Sequence, residues 1–389
     1  MLIAVNTRFL IKDKLEGIGW FTYETMKRLT RNHPEHQFLF LFDREPDPEF
    51  IFSDNVTPIK VWPPARHPYL WKYWFDQALP RVFRKYKPDL FISTDGFLSL
   101  NTHIPTLLVI HDLGFEHYPE HTPGIVSKYY RKFTPLYARK AAHIVTVSEY
   151  SRQDIIKKYH IEPDKISVAH NGAHEQFVPL PEEERAEVRL KYTGGSPYFL
   201  YVGSVHPRKN INNLLLSFDK LRAEGTCDHK LVIVGRMAWK TEETIQIYDQ
   251  MQFKQDVVFA GHMQLEELTR VTASADALVY PSFFEGFGIP VVEARYCGVP
   301  VIVSDRSSLP EVGGDKAIYF DPDSVEDIVQ AMNKFLGNRT QYQDLARRDD
   351  TARQMFSWDR SVSIIEDAMI KIGKRQGRDQ SVSFVNSKN

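Results

Sequence analysis

The sequence predicts an α/β protein made of two doubly wound domains, each built on a parallel sheet. Short apolar strands alternate with amphipathic helices through the first half of the chain, and the second half repeats the alternation. This pattern is typical of a parallel sheet with helices on both faces. The length of 389 residues also exceeds that of one ordinary hydrophobic core, which favours two domains.

In the first half, the alternation predicts strands at 2–5, 38–42, 90–94, 106–110 and 143–148, and helices at 19–31, 69–86, 125–141 and 149–159. The stretch that begins at 165 predicts one more strand, which runs into an Asn-Gly turn and a proline-bearing linker, and these place the domain boundary near 172–182. We therefore expect the first Rossmann-like domain to cover 1–175.

In the second half, six apolar runs predict strands, and several of them end in glycine where the chain turns. We expect the second Rossmann-like domain to cover 183–357. A last amphipathic segment predicts a helix over 358–372, and the polar, aperiodic stretch 373–389 predicts a disordered tail. Each sheet would bind ligands at the carboxyl ends of its strands.

Composition narrows the classes of protein to which the chain can belong. It has 42% hydrophobic and 25% charged residues, and its net charge is −1, so we expect a globular protein with no nucleic-acid partner. Cys227 and Cys297 are the two cysteines, without paired spacing, which fits a reducing cytoplasm. No apolar run has the length to span a bilayer. We expect no signal peptide, because charges interrupt the N-terminus at Arg8, Lys12, Asp13 and Lys14.

The stretch 281–305 has the pattern of a strand, a sharp glycine-bounded turn, a helix and a second strand. The turn is 285–288, and the helix begins near Pro290. Such a unit points free backbone N–H groups and the positive end of a helix at one spot, which suits an anion. Glu285 and Glu293 are eight positions apart and can face the same crevice, where carboxylates accept sugar hydroxyls. The pattern indicates a nucleotide sugar; the alternative is a glycine-capped helix start with one stabilising acid.

Arg208 and Lys209 follow a strand that ends at Gly203, and they precede a helix that we expect Asn210 to cap. At about 4 Å and an effective dielectric constant of about 20, each cation would attract a phosphate charge by about 4 kcal/mol. Arginine can bind two phosphate oxygens at once, whereas lysine acts as a point charge. The alternative is an ordinary solvated basic pair.

Gly17 and Gly19 predict a loop whose backbone approaches a phosphate closely. With Asp43 at the end of the next strand, they also allow a dinucleotide site and thus a nicotinamide-dependent sugar-nucleotide oxidoreductase. Thr22 stands where that motif has its third glycine, so this interpretation is the alternative one.

His111 follows a buried strand, where it could contact a sugar hydroxyl or move a proton. The alternative is a structural pair with Asp112. His117 and His121 lack a carboxylate or cysteine that would complete a zinc site, and 321–323 has the pattern of a turn. We therefore predict no metal site.

The segment 66–87 carries six Lys or Arg, one acid and seven aromatic residues. It contains a helical stripe that would pack on the sheet. The alternative is a surface patch that contacts anionic lipid or a lipid-linked acceptor. The stripe consists of Trp71, Trp74, Phe75, Ala78 and Val82.

Together these segments resemble the retaining glycosyltransferases of family 4, whose GT-B fold has two Rossmann-like domains facing across a cleft. The resemblance reaches to about residue 372 and is most specific in 283–322, which includes the Glu-x7-Glu pair. The segment 202–210 is similar to the branch with Pro-Arg-Lys-Asn. The segments 145–155 and 166–179 match the end of the first domain and the hinge.

The resemblance implies a role for each candidate residue. Arg208 and Lys209 would hold the donor diphosphate, and Glu293 would bind the ribose hydroxyls. His111 would contact the transferred sugar. The first-domain loop over the diphosphate would contain Gly17 and Gly19. Glu285 would meet the donor sugar and phosphate together with the backbone of Gly286, Phe287, Gly288 and Ile289.

The resemblance also implies a reaction. A hexose, with GDP-mannose as the favoured donor, would pass with retained configuration to a glycan or lipid-linked acceptor in polysaccharide or glycolipid synthesis. No metal or other cofactor would be needed. The helix 358–372 would cross back to the first domain, and the enzyme would be cytoplasmic or peripheral at the inner face of the membrane. A third hypothesis is a silent protein that binds lipid or partners through 66–87.

Overall fold

The computed structural model divides into two compact units, and it describes residues 1–65, 67–237 and 241–386. Unit 1 consists of Met1–Asn171 and Trp358–Asn389, and unit 2 of Gly172–Ser357. The predicted bounds were 1–175 and 183–357. The unit boundary lies before the Asn-Gly glycine, so the proline-bearing linker belongs entirely to unit 2.

Unit 1 contains a parallel sheet, which in the described part of the chain has seven strands. The strands are β1 Leu2–Asn6, β2 Gln37–Phe42, β3 Val56–Lys60, β4 Leu90–Ser93, β5 Thr106–Val109, β6 His143–Thr146 and β7 Ile166–Val168. Their order across the sheet is β3-β2-β1-β4-β5-β6-β7. The register sets Ile3 of β1 against Phe38 on one side and Leu90 on the other.

The helices of unit 1 cover the sheet, and apart from the edge strands β3 and β7 the strands are almost wholly buried. The helices are α1 Gly17–Asn32, α2 Pro68–Tyr73, α3 Leu79–Tyr86, α4 Gly114–His117, α5 Gly124–Lys140 and α6 Glu149–Tyr159. The segment Trp74–Ala78, between α2 and α3, is a π-helical turn.

The predicted packing of the stripe in 66–87 is confirmed. Trp74, Phe75 and Ala78 are buried in the core of unit 1, and Trp71 and Val82 pack against it. The Trp74 Nε1–H donates to the carbonyl of Val61 at 3.2 Å, so the one hydrogen-bond donor of this side chain is satisfied inside the core.

The structure adds one strand that the sequence pattern missed. β3 contains Pro58, which argued against a strand because proline cannot donate to a ladder. β3 lies at the edge of its sheet, so the missing N–H has no strand to face on its outer side.

Unit 2 contains a parallel sheet with the order β10-β9-β8-β11-β12-β13, six strands among the residues described. All six predicted strands of the second half are confirmed. They are β8 Tyr198–Val202, β9 Lys230–Val234, β10 Val257–Gly261, β11 Ala277–Tyr280, β12 Val301–Ser304 and β13 Ile318–Phe320.

The helices of unit 2 alternate with these strands. They are α7 Glu182–Thr193, α8 Ile211–Ala223, α9 Glu242–Gln250, α10 Leu265–Ser274, α11 Ile289–Tyr296, α12 Leu309–Gly313, α13 Val325–Gly337, α14 Arg339–Arg347 and α15 Thr351–Met355.

The last helix, α16 Trp358–Asn386, returns to unit 1 and contacts α1, β6 and β7. It is longer than the predicted 358–372: the helix continues to Asn386, into the stretch 373–389 for which the sequence predicts a disordered tail. No proline interrupts this stretch, and its lysine, arginine and glutamine residues are good helix formers, whereas Gly373 and Gly377 are poor ones. Residues 387–389 lie outside the described residues.

Candidate functional site

The strand order of unit 2 creates a crevice at the carboxyl ends of β8 and β11. From β8 the chain proceeds to β9 and β10 on one side of the sheet, and it then returns to β11 on the other side. Ligands of doubly wound sheets bind at such a reversal of strand order. Arg208 and Lys209 follow β8, and Glu285 follows β11. These three predicted residues therefore lie at the crevice that the reversal of strand order creates.

A short 3₁₀ turn, Pro207–Lys209, presents the two cations. The ring of His206 accepts a hydrogen bond from the backbone N–H of Arg208 at 3.2 Å, and the Arg208 carbonyl accepts one from Phe283 N at 3.0 Å. The turn is thereby tied to the segment that follows β11. Its position is fixed by hydrogen bonds rather than left to the flexibility of a loop.

Asn210 stands before α8 in the left-handed region, with φ of 59°. The prediction that its side chain caps the helix is wrong. Its amide N–H groups instead donate to the carbonyls of Pro281 at 3.1 Å and Pro322 at 2.8 Å. The residue thus ties together the segments that follow β8, β11 and β13, because asparagine tolerates this backbone conformation and carries two donors.

Arg208, Lys209 and Glu285 meet in one ion-pair cluster. Lys209 Nζ lies 2.5 Å from one carboxylate oxygen of Glu285, and Arg208 Nη1 lies 3.5 Å from the other. Arg208 Nη1 also donates to the carbonyl of Phe284 at 2.5 Å. The side chains of Arg208 and Lys209 remain 26% and 15% exposed, so an anion in solution can reach both.

Glu285 is buried but ionised. Burial alone would raise the pKa of its carboxyl group, but the charges of Lys209 and Arg208 outweigh burial and lower the pKa below its ordinary value. A carboxylate held in this way orients both cations. The structure therefore places Glu285 as the partner of the two cations.

Two tyrosines that the sequence analysis did not single out support the cluster. Tyr201 and Tyr280 are buried and stacked, with ring centroids 5.8 Å apart. The hydroxyl of Tyr280 lies 3.2 Å from Lys209 Nζ. Both belong to buried strands, where a tyrosine has the same pattern in the sequence as any other core residue. The sequence therefore contains no signal that distinguishes these two tyrosines from ordinary core residues.

The glycine turn before α11 is fixed by two serines. Ser307 Oγ accepts from the backbone N–H of Glu285 at 2.9 Å, and Ser308 Oγ donates to the carbonyls of Glu285 at 3.0 Å and Phe287 at 2.8 Å. Gly288 has φ of 109°, a conformation that favours glycine. The helix start at Ile289 is thus held in place, with the positive end of its dipole at this turn.

Glu293 lies on the second turn of α11 and is partly buried. Burial raises the pKa of its carboxyl group to about 8. Among the described residues, its side chain takes part in no ion pair or hydrogen bond of the protein. At neutral pH most of it is therefore protonated and can donate as well as accept a hydrogen bond.

In unit 1 the structure corrects the prediction for Gly17 and Gly19. Both lie in the first turn of α1 rather than in a loop. Gly17 is exposed, whereas a Cβ on Gly19 would lie 2.9 Å from the carbonyl oxygen of Phe9. The second glycine therefore lets the preceding loop approach the helix, a packing reason that the Gly-x-Gly pattern could not distinguish from a phosphate site.

His111 follows β5, and its Nε2 lies 2.8 Å from the carbonyl oxygen of Thr94. A carbonyl only accepts, so Nε2 carries the hydrogen. Burial lowers the pKa of His111, and the bond to Thr94 offsets this only in part, so the ring is neutral at pH 7. Asp112 instead accepts from the backbone N–H of Gly114 at 2.7 Å, which makes it a turn residue.

A second ion pair occupies the reversal of strand order in unit 1, between β1 and β4. Arg8 Nε lies 2.5 Å from a carboxylate oxygen of Asp95, and both side chains are buried. The Arg8 guanidinium lies over the Phe97 ring at 4.4 Å and near the ring of Phe75 at 5.3 Å. The sequence analysis missed this pair, because its members are 87 positions apart.

Asp43 was the ribose acceptor of the oxidoreductase alternative. In the structure it is buried, one carboxylate oxygen accepts from Arg44 Nε at 2.8 Å, and the other accepts from the backbone N–H of Ala65 at 3.1 Å. Both oxygens thus serve structural contacts, which leaves that alternative without support.

The histidines considered for zinc have protein partners. His117 Nε2 lies 2.8 Å from a carboxylate oxygen of Asp154. Within the part of the chain that the structure describes, the one group of His, Cys, Asp or Glu close enough to share an ion is His33, Glu35 and His36, which lies in unit 1 just after α1.

Family models match both halves of the chain. Residues 15–177 match the model described as Glycosyltransferase Family 4, and residues 182–354 match the model described as Glycosyl transferases group 1.

Curated relatives match over most of the chain. It is 32% identical to O-antigen chain mannosyltransferase B of Escherichia coli over 363 residues, which cover 90% of this chain and 94% of the relative. It is 31% identical to O-antigen chain mannosyltransferase RfbU of Salmonella typhimurium over 301 residues, which cover 73% and 75%.

The fold is similar to that of HepE from Anabaena, solved in complex with UDP and glucose. The TM-score is 0.74 at 15% identity, and the match covers 95% of this chain and 99% of that one.

Proposed function

The chain belongs to the glycosyltransferases of family 4 with a group 1 second half, and we propose that it is a retaining mannosyltransferase. Its two Rossmann-like units match the GT-B glycosyltransferases in fold. In the proposed reaction, mannose passes from a nucleotide-diphosphate donor to a glycan or lipid-linked acceptor in polysaccharide synthesis. The mannosyl assignment follows the two relatives named above.

One observation carries the proposal: Arg208 and Lys209 converge on Glu285 beside the start of α11. Two reachable cations and the positive end of a helix at one crevice suit a diphosphate. Since the cluster is held by hydrogen bonds and by Glu285, its charges are already oriented before any ligand binds, which is the condition for electrostatic catalysis.

The chemistry follows from that charge distribution. The bond between the anomeric carbon and the diphosphate oxygen breaks, and a bond forms between that carbon and a hydroxyl oxygen of the acceptor. The hydroxyl proton passes to the leaving diphosphate. We assign Arg208 and Lys209 to the negative charge that builds on the diphosphate, a role that elsewhere falls to a metal ion.

We assign Glu293 to the ribose hydroxyls, because its partly protonated carboxyl group can both donate and accept. The backbone of Gly286 to Ile289 is assigned to the donor phosphate and sugar, and Glu285 to the orientation of the cations. His111 is kept as the residue of unit 1 that contacts the sugar. Its neutral ring, with hydrogen on Nε2, has Nδ1 as an acceptor for a sugar hydroxyl.

None of the described helices combines the length and the apolar character that crossing a bilayer requires. We propose a peripheral location at the cytoplasmic face of the membrane. Trp62, an exposed aromatic residue just before the segment 66–87, supports this contact. Arg66 lies outside the described residues.

The donor is tested by thermal unfolding with GDP-mannose, UDP-glucose and ADP-glucose. A ligand at one hundred times its Kd stabilises the folded state by about 2.7 kcal/mol. We expect GDP-mannose to raise Tm most. Equal shifts with all three would contradict the guanosine assignment, and no shift with any of them would contradict the proposed function.

The role of Lys209 is tested by Lys209→Ala, with a control for the buried acid. We expect donor affinity to fall by at least 30-fold, since loss of one charged partner costs about 2–5 kcal/mol. The change also leaves Glu285 less compensated and lowers stability, so the double variant Lys209→Ala/Glu285→Gln should regain stability but not donor binding.

The matched control is Lys220→Ala/Glu326→Gln, which removes an exposed lysine–glutamate pair of the same unit, also 2.5 Å apart. Donor affinity should remain that of the wild type there. Donor binding that survives in the Lys209 double variant would show that the cluster does not hold the diphosphate. Isothermal titration calorimetry measures all four proteins.

A further inference from the structure

Unit 1 contains a groove that the proposed donor chemistry does not use. It lies between residues 68–77, which comprise α2 and most of the π-helical turn, and the first half of α5. Its volume is about 540 Å³, within the range of sites that bind small molecules.

The groove has apolar side chains in contact with solvent. Tyr69 is 76% exposed, Tyr73 41% and Ile125 45%, and the rings of Tyr129 and Phe133 form further parts of its lining. Large apolar side chains that are exposed together on a concave surface usually belong to a binding site, because ordinary protein surfaces rarely expose contiguous apolar patches.

The groove also has a strong positive charge. Lys72, Lys128 and Lys132 belong to its lining. The Nζ atoms of Lys72 and Lys132 lie 5.2 and 5.5 Å from the centroid of the same ring, that of Phe133. Lys128 and Lys132 are four positions apart on α5, a like-charge spacing that weakens a helix, and α5 contains no acid to offset it.

The one acid of the lining is already engaged. One carboxylate oxygen of Asp76 accepts from Lys72 Nζ at 2.7 Å, and the other accepts from the backbone N–H of Leu100 at 2.8 Å. Asp76 is buried, so it forms the floor of the groove and leaves Lys128 and Lys132 at the rim.

We infer that this groove binds the acceptor substrate as an amphiphilic anion, a lipid phosphate whose apolar chain lies along the rings and whose phosphate lies between the lysines. The inference rests on the proposed function, since it names the class of acceptor. Apolar walls with a cationic rim complement a molecule that has both an apolar chain and an anionic group. Neither a free sugar nor a nucleotide has that combination.

The concave shape favours one lipid chain over a bilayer surface. A bilayer presents a broad plane and rewards apolar side chains that project outward. A groove of about 540 Å³ instead surrounds a single chain. Membrane contact and chain binding therefore make different predictions for a short, water-soluble lipid phosphate.

The probe is farnesyl phosphate at concentrations at which it is monomeric, titrated calorimetrically into the full-length chain. We expect saturable binding by the wild type. Lys128→Glu/Lys132→Glu should weaken it at least tenfold, and Ile125→Asp should weaken it through the apolar wall. These three residues are exposed, so the variants should fold.

The matched control is Lys157→Glu/Lys158→Glu, which makes the same change of charge at two exposed lysines of α6 in the same unit. It should bind farnesyl phosphate as the wild type does. Farnesol has the apolar chain without the phosphate, and inorganic phosphate has the anionic group without the chain. Each should bind at least tenfold more weakly than farnesyl phosphate.

Three outcomes would overturn the inference. They are equal binding by the wild type and the Lys128/Lys132 variant, equal loss in the α6 control, and binding to vesicles with phosphatidylglycerol but not to monomeric farnesyl phosphate. The last would assign the surface to the membrane. Donor affinity is measured on the same proteins. Intact donor binding with no lipid binding refutes this inference alone, whereas absent donor binding refutes the proposed function.

Discussion

Two glutamates of unit 2 show how surroundings decide the chemistry of identical side chains. Glu285 has two cations beside it, which lower its pKa despite burial. Glu293 forms no ion pair among the described residues, and burial raises its pKa to about 8. The Glu-x7-Glu spacing therefore presents one charged and one mostly neutral carboxyl group at neutral pH.

Glu293 should make folding stability depend on pH. Its pKa in the folded protein, about 8, lies above its ordinary value of 4.5, so the folded state holds the proton more tightly. The resulting stability is complete below pH 4.5 and is lost as pH rises through 8, with a slope of at most about 1.4 kcal/mol per pH unit. Glu293→Gln should remove this loss.

The measurement is the free energy of urea unfolding at pH 5 and pH 8. Glu183→Gln, at an exposed glutamate of α7, is the control and should keep the pH dependence of the wild type. If wild type and Glu293→Gln lose the same stability between the two pH values, the buried carboxyl group is not its source.

The residues of the candidate site that directly follow strand ends could be predicted from the sequence. Parallel strands deliver their following residues to one edge, so Arg208, Lys209 and Glu285 could be brought together from the sequence. The engagement of Glu285 with both cations depends on side-chain directions that spacing does not encode. Ser307 and Ser308 bind backbone groups, and a serine in a loop carries no signal of such a role.

At the scale of elements, the start of α1 provides a test with an internal control. Gly19→Ala should lower stability by about 1–3 kcal/mol, because the added Cβ would lie 2.9 Å from the backbone oxygen of Phe9. Gly17→Ala meets no atom within 4 Å and should leave stability unchanged or raise it by up to about 1 kcal/mol.

Chemical denaturation of the two variants measures the difference. Equal destabilisation would mean that the close approach to Phe9 does not constrain the helix start. If instead both variants keep wild-type stability but lose donor binding, the two glycines serve the phosphate role that the family resemblance first gave them.

Strands and helices with a clear hydrophobic periodicity could be predicted from the sequence, whereas elements that depend on their place in the fold could not. The buried strands of both sheets appear in the sequence as apolar runs. β3 does not, because Pro58 and its exposed neighbours hide an edge strand. The bounds of α16 differ from the predicted ones because we took the polarity of 373–389 as a sign of disorder, although no proline interrupts that stretch.

At the scale of the molecule, the chain leaves unit 1 after Asn171 and re-enters it at Trp358. α16 is fastened to unit 1 by Arg28, whose Nε lies 2.8 Å from a carboxylate oxygen of Asp359, and by His33, whose Nε2 lies 3.0 Å from one of Glu366. It also buries five large apolar side chains: Trp358, Val362, Ile365, Met369 and Ile372.

A chain that ends at Ser357 should therefore leave unit 1 unfolded while unit 2 still binds the donor. Each large buried side chain is worth about 1.5–3 kcal/mol, and five together match the whole stability of an ordinary domain, about 5–15 kcal/mol. A chain that ends at Lys374 keeps all five and should fold as the full chain does.

Limited proteolysis with mass spectrometry distinguishes the two truncations. Cleavage throughout 1–171 in the shorter chain alone is the expected result. Resistance of that region in the chain ending at Ser357 would show that unit 1 is stable without α16.

The ion pairs of Glu285 have one more consequence, for inhibition by salt. An anion that enters the crevice of unit 2 competes with a carboxylate that already neutralises Lys209 and Arg208. Chloride competes for these two cations with a single negative charge, whereas a diphosphate competes with more than one. The crevice therefore discriminates among anions by valence, and the chloride of a cell is a poor competitor for it.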